Sequence, residues 1–273
     1  MPVSHDQLVE AIEASLFLYS DTPGYVEPLS FAGVTGRVTR LSHPLANMVG
    51  MSTLDDASAD MAIAQVHEFF VGQGKAYSWL VAPSSTPADL GRRLETVGMV
   101  KFTEMAGMVL TQMDRPMNPN PQVEVREAIA EERRRAIPLM VEGYPLPEAV
   151  ATLFAEMMMS LDASGKVLSR DYLAYVPERA EPVAWSALMH VPNSSIVVLS
   201  GAATLPEFRG RGIYTAMVAR RLADARAAGA EAAIIQAVRD TSAPICVKNG
   251  FTEVTALDLY AWIPPGEDGR ETT

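Results

Sequence analysis

The chain has 273 residues, 48% of them hydrophobic, and its 22 Lys+Arg against 33 Asp+Glu give a formal net charge of −11. At about 150 residues per domain this is a length for roughly two domains. So apolar a composition excludes global disorder, and the single cysteine, Cys246, excludes an intrachain disulfide scaffold and fits a reducing cytoplasm.

With a pI near 4.9 and a mean hydropathy of +0.09, the chain would repel nucleic-acid phosphates and anionic membranes, so neither is expected as a partner. A cationic substrate is tolerated. No apolar run reaches the roughly 18–20 residues of a membrane span. The segment Met1 to Glu10 is polar, carries His5, Asp6 and Glu10, and has no basic region ahead of an apolar stretch. No signal peptide is expected, and the cytoplasm is the expected location.

In chain order, Ala46 to Leu54 reads as a strand, followed by the acidic loop Asp55 to Asp60 and a helix from Met61 to Phe70. Trp79 to Val81 reads as a strand, Ser85-Thr86-Pro87 as a helix start, and the helix runs to Val97 before Gly98-Met99. The clearest break is Asp114 to Pro121, where three prolines and two asparagines stand within eight residues. Such a run cannot continue a helix or an inner strand. It divides the chain into 1–114, a linker at 115–122, and 123–263, with a mobile tail expected at 264–273.

The second half alternates strands and helices. Val123 to Arg126 is an expected strand; Ala130 to Val141 and Leu146 to Leu161 are expected helices. Tyr172 to Val176, Pro182 to Val191 and Ile196 to Leu205 read as three strands, separated by Glu178 to Glu181 and by Pro192 to Ser194. Gly212 to Ala228 is a helix with an apolar stripe of Tyr214, Met217, Val218, Leu222 and Ala225, closed by Gly229. A buried strand, Ala232 to Val238, precedes a short helix, Ala243 to Lys248, closed by Gly250. Phe251 to Trp262 supplies one or two closing strands. The order strand, Ser/Thr/Pro helix start and Gly stop occurs in both halves. An internal duplication and a chance repeat of common grammar both account for it.

The stretch that carries chemistry is Leu205-Pro206-Glu207-Phe208-Arg209-Gly210-Arg211-Gly212-Ile213-Tyr214, which leaves a strand and enters a helix. Glycines let backbone N–H groups face outward, and the helix start and two arginines add positive charge, which together make an anion cradle. From Pro206 to Arg226, Arg209, Arg211, Arg220, Arg221 and Arg226 stand against Glu207 and Asp224, a net +3. No P-loop string G-x-x-x-x-G-K-[ST] occurs. A dinucleotide fingerprint is set aside because its third glycine falls on Thr215 and the acid, Glu231, opens its strand rather than closing it.

Arg209-Gly210-Arg211-Gly212-Ile213, after a strand and a proline, resembles the acetyl-CoA signature R/Q-x-x-G-x-G/A of the GNAT superfamily of N-acyltransferases. Ser242-Ala243-Pro244-Ile245 with Lys248-Asn249-Gly250-Phe251 resembles its second signature. The resemblance covers about residues 123–263. It implies a GNAT-like α/β fold with a mixed sheet, in two tandem copies with the first degenerate, and acetyl-CoA as co-substrate with no metal. It further implies that Ala202, Ala203 and Thr204 pair with the pantetheine arm. Arg209, Gly210, Arg211, Gly212, Ile213 and Tyr214 would offer N–H groups to the pyrophosphate, and Ser242 would touch the coenzyme.

The chain departs from the family pattern twice. Tyr214 replaces the final Gly/Ala, which is tolerable if its ring turns into the core. Cys246 stands where many members keep a Tyr that protonates the leaving thiolate. A thiol is also an acid, with a reference pKa of about 8.5, but a packing role is the preferred reading of a lone Cys. A Cys–His dyad of Cys246 with His5, His43, His67 or His190 has no supporting spacing. As base, His190, Glu142 and Glu156 are candidates, each weighed against a solvated side chain. Met157-Met158-Met159 reads as packing, with lining of an acceptor pocket as the alternative.

In the first half the loop at the cradle's position carries Asp55, Asp56 and Asp60 and neither arginine nor glycine. Those acids are expected to cap the next helix, and one coenzyme site, in the second half, is expected. The leading expectation is an acetyl-CoA-dependent N-acetyltransferase acting on a small-molecule or peptide amine, as a monomer or homodimer. The alternatives are a non-catalytic acyl-CoA-binding sensor or scaffold, and an interaction protein with no ligand.

Overall fold

A computed structural model gives the structure and describes residues 3–266. Of the expected tail, residues 267–273 lie outside the described residues. The elements are α1 (His5–Ala14), β1 (Glu27–Pro28), β2 (Thr35–Val38), β3 (Met48–Gly50), α2 (Ala59–Val71), β4 (Tyr77–Val81), α3 (Leu90–Thr96) and β5 (Val100–Leu110) in the first half. The second half contributes β6 (Glu124–Glu127), α4 (Ala136–Gly143), α5 (Glu148–Ser164), β7 (Ser169–Val176), β8 (Arg179–His190), β9 (Ile196–Val198), β10 (Ala202–Thr204), α6 (Ile213–Ala227), β11 (Ala232–Val238), α7 (Ala243–Lys248) and β12 (Thr252–Trp262).

All strands belong to one mixed sheet, ordered β1-β2-β3-β4-β12-β5-β11-β9-β8-β7-β6, with β10 on β8. Each half contains a parallel pair, β3 with β4 and β9 with β11, followed by a helix and a long antiparallel strand. Those long strands cross over. β5 of the first half lies against β11 of the second, and β12 of the second lies between β4 and β5 of the first. The two halves therefore share one sheet, and their cores join: Leu8, Ala11 and Ile12 of α1 pack with Ile234 of β11 and Leu257 of β12.

The helix α1 was not expected from the polar N-terminus. Its signal is a capping box: the Gln7 amide donates to Ser4 Oγ at 3.3 Å and the Ser4 amide donates to Gln7 Oε1 at 2.9 Å. The expected helix from Ala130 begins only at Ala136, after a tight turn at Arg133–Arg135. Pro138 then stands in its first turn, where its missing N–H costs nothing. The turn expected at Glu178 to Glu181 is shorter, since β8 already begins at Arg179.

The largest departure is the expected single strand from Ile196 to Leu205, which the structure divides into β9 and β10. Gly201 between them takes φ +54°, and a Cβ there would stand 2.6 Å from Trp185 Cη2. Trp185 cannot retreat easily, because its indole N–H donates to the buried Asp171 at 2.9 Å. The ring therefore sits where only glycine lets the chain pass, and the strand changes partner at that point.

The acids of the first-half loop do not cap α2, whose N-cap Ser58 makes no side-chain capping bond and donates its hydroxyl instead to the Asp55 carbonyl at 3.3 Å. Asp56 and Asp60 instead pair with Arg93 of α3, Asp60 at 3.0 Å. An ion pair across 33 positions of sequence outcompetes the local cap.

Candidate functional site

In the second half the parallel pairing of β9 and β11 ends at Val198 and Ile234, with one further link from the Leu199 amide to the Ile234 carbonyl at 2.9 Å. Beyond it, β10 pairs only with β8, Ala202 opposite Ser186, Ala203 opposite Trp185 and Thr204 opposite Ala184. One edge of β10 and the facing edge of Ile235–Val238 thus carry backbone groups unpaired with each other. The two parallel strands part beyond Val198, leaving a cleft whose β10 edge is partly taken by the Tyr144 hydroxyl and the Arg209 guanidinium.

The equivalent place in the first half is closed. Thr53 bridges Thr86, the Thr86 amide donates to the Ser52 carbonyl at 2.9 Å, and the Leu54 amide donates to the Thr86 carbonyl at 3.3 Å. The Thr86 hydroxyl adds a bond to the Leu54 carbonyl at 3.0 Å, and Trp79 Nε1 donates to Ser52 Oγ at 2.9 Å. The chain itself fills the line along which a ligand would enter.

Past β10, the turn at Pro206–Phe208 leads into Gly210 and Gly212, both at φ +75°, and Gly212 starts α6. Left-handed backbone at two glycines turns successive N–H groups to one side. The amides of Gly210, Arg211, Gly212, Ile213, Tyr214 and Thr215 find no acceptor among the described residues. The opposite side of the turn is pinned from the linker: Asn120 Nδ2 donates to the Arg211 carbonyl at 2.9 Å. Six amides without an acceptor at a helix start could hold an anion.

Its side-chain charges differ from the sum along the chain. Arg209 donates from Nε to the Thr204 carbonyl at 3.2 Å and from Nη2 to the Gly143 carbonyl at 2.8 Å, tying the end of α4 to β10. Arg211 pairs with Glu178 from the β7–β8 turn and lies 5.3 Å from the Phe208 ring centroid. Arg220 pairs with Asp224 at 2.9 Å, and Arg226 is in the last turn of α6, about 20 Å along the helix from its start. The +3 of the sequence window is spread over a whole helix and countered by an acid outside the window.

The expected catalytic residues fall in different places. Cys246 is buried in α7, and its Sγ is 3.5 Å from the Tyr214 hydroxyl. The two departures from the family pattern thus touch each other. Burial pushes the Cys246 thiol above its ordinary range, against the Tyr214 hydrogen bond and the Arg221 charge, which pull it down. Ser242 is half-buried ahead of α7, its amide bonded to the Val238 carbonyl at 3.1 Å.

Glu142 is exposed in the last turn of α4, beside Gly143, which packs so tightly on β10 that a Cβ there would lie 2.9 Å from the Ala203 Cβ. His190 lies opposite Val197, four residues along β8 from Ser186 and so about 13 Å from the open rung. Burial, then the nearby Arg170, lowers its pKa. Glu156 is engaged by Arg134 at 3.3 Å, and Met157 and Met158 are core residues. None of the four histidines meets Cys246: His43 is buried in the first half, His67 bonds Tyr77 at 3.0 Å, and His5 is exposed on α1.

Three side chains at the cleft were missed. Tyr144 follows α4, and its hydroxyl accepts the Ala202 amide at 3.0 Å, on the strand that carries the cleft edge. In sequence it stands between Gly143 and Pro145, with no motif that marks it. Trp185 sets the bend at Gly201. Arg221 is fully buried behind β8, its Nη1 donating to the Ala187 carbonyl at 2.9 Å. Among the described residues no group of three or more His, Cys, Asp or Glu side chains could hold a metal ion, and no helix is long and apolar enough to cross a membrane.

A cleft between parallel strands, ending in an amide cradle at a helix start, defines the class of site. No protein-family model and no curated protein matches the sequence. Solved structures do. A GCN5-related N-acetyltransferase from Kribbella flavida is similar at 17% identity and TM-score 0.66, over 98% of this chain and 97% of that one. Another, from Sphaerobacter thermophilus, is similar at 16% identity and TM-score 0.65, over 100% and 97%. A tandem GNAT protein from the clavulanic acid biosynthesis pathway is similar at 10% identity and TM-score 0.57, over 98% and 99%. The chain has the GNAT fold, and the likeness extends over both halves rather than over 123–263 alone.

Proposed function

We propose that the chain is an N-acetyltransferase that carries the acetyl group of acetyl-CoA to a primary amine, in the cytoplasm, as a monomer or homodimer. The observation that carries this reading is the contrast between the halves: the β10/β11 cleft with six free amides at its end, against the closed line at Thr86. One coenzyme site per chain follows.

The residues present fit such a ligand. The amides of Gly210 to Thr215 suit the pyrophosphate, and the cleft edge of Ala202 to Thr204, where Tyr144 holds the Ala202 amide and Arg209 the Thr204 carbonyl, would pair with the amides of the pantetheine arm once those two side chains yield. Bound acetyl-CoA supplies an activated acyl carbon. The neutral amine attacks that carbon, the C–N bond forms, and the C–S bond breaks with its electron pair leaving on sulfur. The amine proton passes to a base or to water. Backbone N–H groups of β10 stabilise the oxyanion, and the Ala202 amide, now bonded to the Tyr144 hydroxyl, is the donor nearest the bend. Glu142, at the end of the helix that packs on β10, is our preferred base; His190 is farther off. The net charge of −11 favours a small or peptide-borne cationic acceptor.

Calorimetric titration with coenzyme A should give one site per chain, and an amine panel should release thiol from acetyl-CoA. Two sites per chain, or none, would overturn the site assignment. Binding without thiol release from any amine would instead favour a sensor or scaffold.

A further inference from the structure

Among the described residues two guanidiniums are fully buried, Arg37 in the first half and Arg221 in the second. Removing a charge from water costs several kcal/mol unless hydrogen bonds and counter-charges offset it. Arg37 satisfies every nitrogen: Nε, Nη1 and Nη2 donate to the Ala46, Leu16 and Leu45 carbonyls at 3.2, 2.7 and 2.8 Å, and the group lies 4.6 Å from the Tyr19 ring centroid. Its role is to hold loops together.

Arg221 is different. Nε reaches the Met217 carbonyl of its own helix at 3.3 Å and Nη1 the Ala187 carbonyl at 2.9 Å, but Nη2 has no hydrogen-bond partner among the described residues. No carboxylate pairs with it there; the titratable groups around it are Tyr214 of α6, Tyr144 after α4, Tyr172 of β7 and Cys246 of α7.

The position of this charge is set by the cleft. Ala187, whose carbonyl holds Nη1, donates its own amide to Ser200 at 2.9 Å, one residue before the bend at Gly201. Tyr144 accepts the Ala202 amide on the far side of the bend, and Tyr214 contacts Cys246. A cation with a spare donor thus sits behind the rung where the strands separate, among hydroxyl and thiol groups rather than carboxylates.

We propose that Arg221 is a positioning residue of the acyl-transfer site, whose buried charge orients the Tyr144, Tyr214 and Cys246 polar hydrogens and favours negative charge at the cleft as a thioester is attacked. This rests on the acyltransferase reading above. The field acts on the thiol in the ligand-free chain as well, so the two can fail separately.

The single cysteine makes the test clean. With 13Cβ-labelled cysteine the chain gives one cysteine resonance, whose pH titration reports the field at Cys246. Arg221→Met should move the titration midpoint up by about one pH unit and lower kcat at least tenfold with little change in KM for acetyl-CoA. Arg221→Lys should recover at least half of both effects. An unmoved Cys246 midpoint in folded Arg221→Met overturns the proposal, as does a loss confined to KM. Should Arg221→Met not fold, the 15N side-chain resonances of Arg221 in the parent decide: they shift on adding acetyl-CoA if the charge faces the thioester, and unshifted signals overturn the proposal. Absence of coenzyme binding by the parent refutes the acyltransferase reading alone, and the thiol titration still tests the field.

Discussion

Replacing Gly201 with alanine tests the origin of the cleft. The residue is at φ +54°, where a side chain costs about 1–2 kcal/mol. The added Cβ would also stand 2.6 and 2.8 Å from Trp185 Cη2 and Cζ3, an overpacking of about 1–3 kcal/mol. The indole cannot swing aside without losing its 2.9 Å bond to Asp171, a buried carboxylate 3.4 Å from Arg133. The expected loss is about 2–5 kcal/mol, read from urea unfolding midpoints with the slope unchanged. Trp185→Phe removes the far ring atoms, so in that background Gly201→Ala should cost only the backbone share. The coupling between the two changes should be about 1–3 kcal/mol. A cost below about 0.5 kcal/mol, or an equal cost in both backgrounds, would refute the claim that the ring forces the strand to part. Coenzyme A binding should weaken in Gly201→Ala, since β10 is displaced.

Two further outcomes follow from buried titratable groups. Burial lowers the His43 pKa from 6.5 to about 4, so the fold binds its proton less readily than the unfolded chain. Its contribution to stability is fully present above pH 6.5 and is lost as pH falls towards 4, by up to about 3 kcal/mol. His43→Asn, which keeps an acceptor for the Leu45 amide, should flatten that acid limb, and an unchanged limb in urea titrations at pH 7, 5.5 and 4 would disprove it. Cys246, 1% exposed and with its pKa raised by burial, should react with a thiol reagent at pH 7 at least about a hundredfold more slowly in the native than in the unfolded chain. Native-rate labelling near that of the unfolded thiol would show that the helix opens.

Much of the second half was legible because its signals are local. β11 and α7 fall at the expected Ala232–Val238 and Ala243–Lys248, where an apolar run, a Ser/Pro start and a glycine stop are read within a few residues. The turn before α6 was legible for the same reason: Gly210 and Gly212 take a left-handed backbone at the helix start. The missed α1 also carried a local signal, the Ser4–Gln7 box, hidden by the polar residues around it. The break at Gly201 was not legible, because its cause is a tryptophan from another strand.

By itself, then, the sequence determined the element order of the second half and a double-glycine turn between a strand and a helix, both products of backbone preference over short spans. Only the tertiary structure decided that β12 inserts between β4 and β5, that Thr86 closes the first half while Gly201 opens the second, that Glu178 answers Arg211, and that Arg221 is buried with no carboxylate partner among the described residues. Each of these joins residues far apart in the chain. Packing and hydrogen bonding between them outweigh local propensity once the sheet has formed, and no spacing in the sequence records which partners meet.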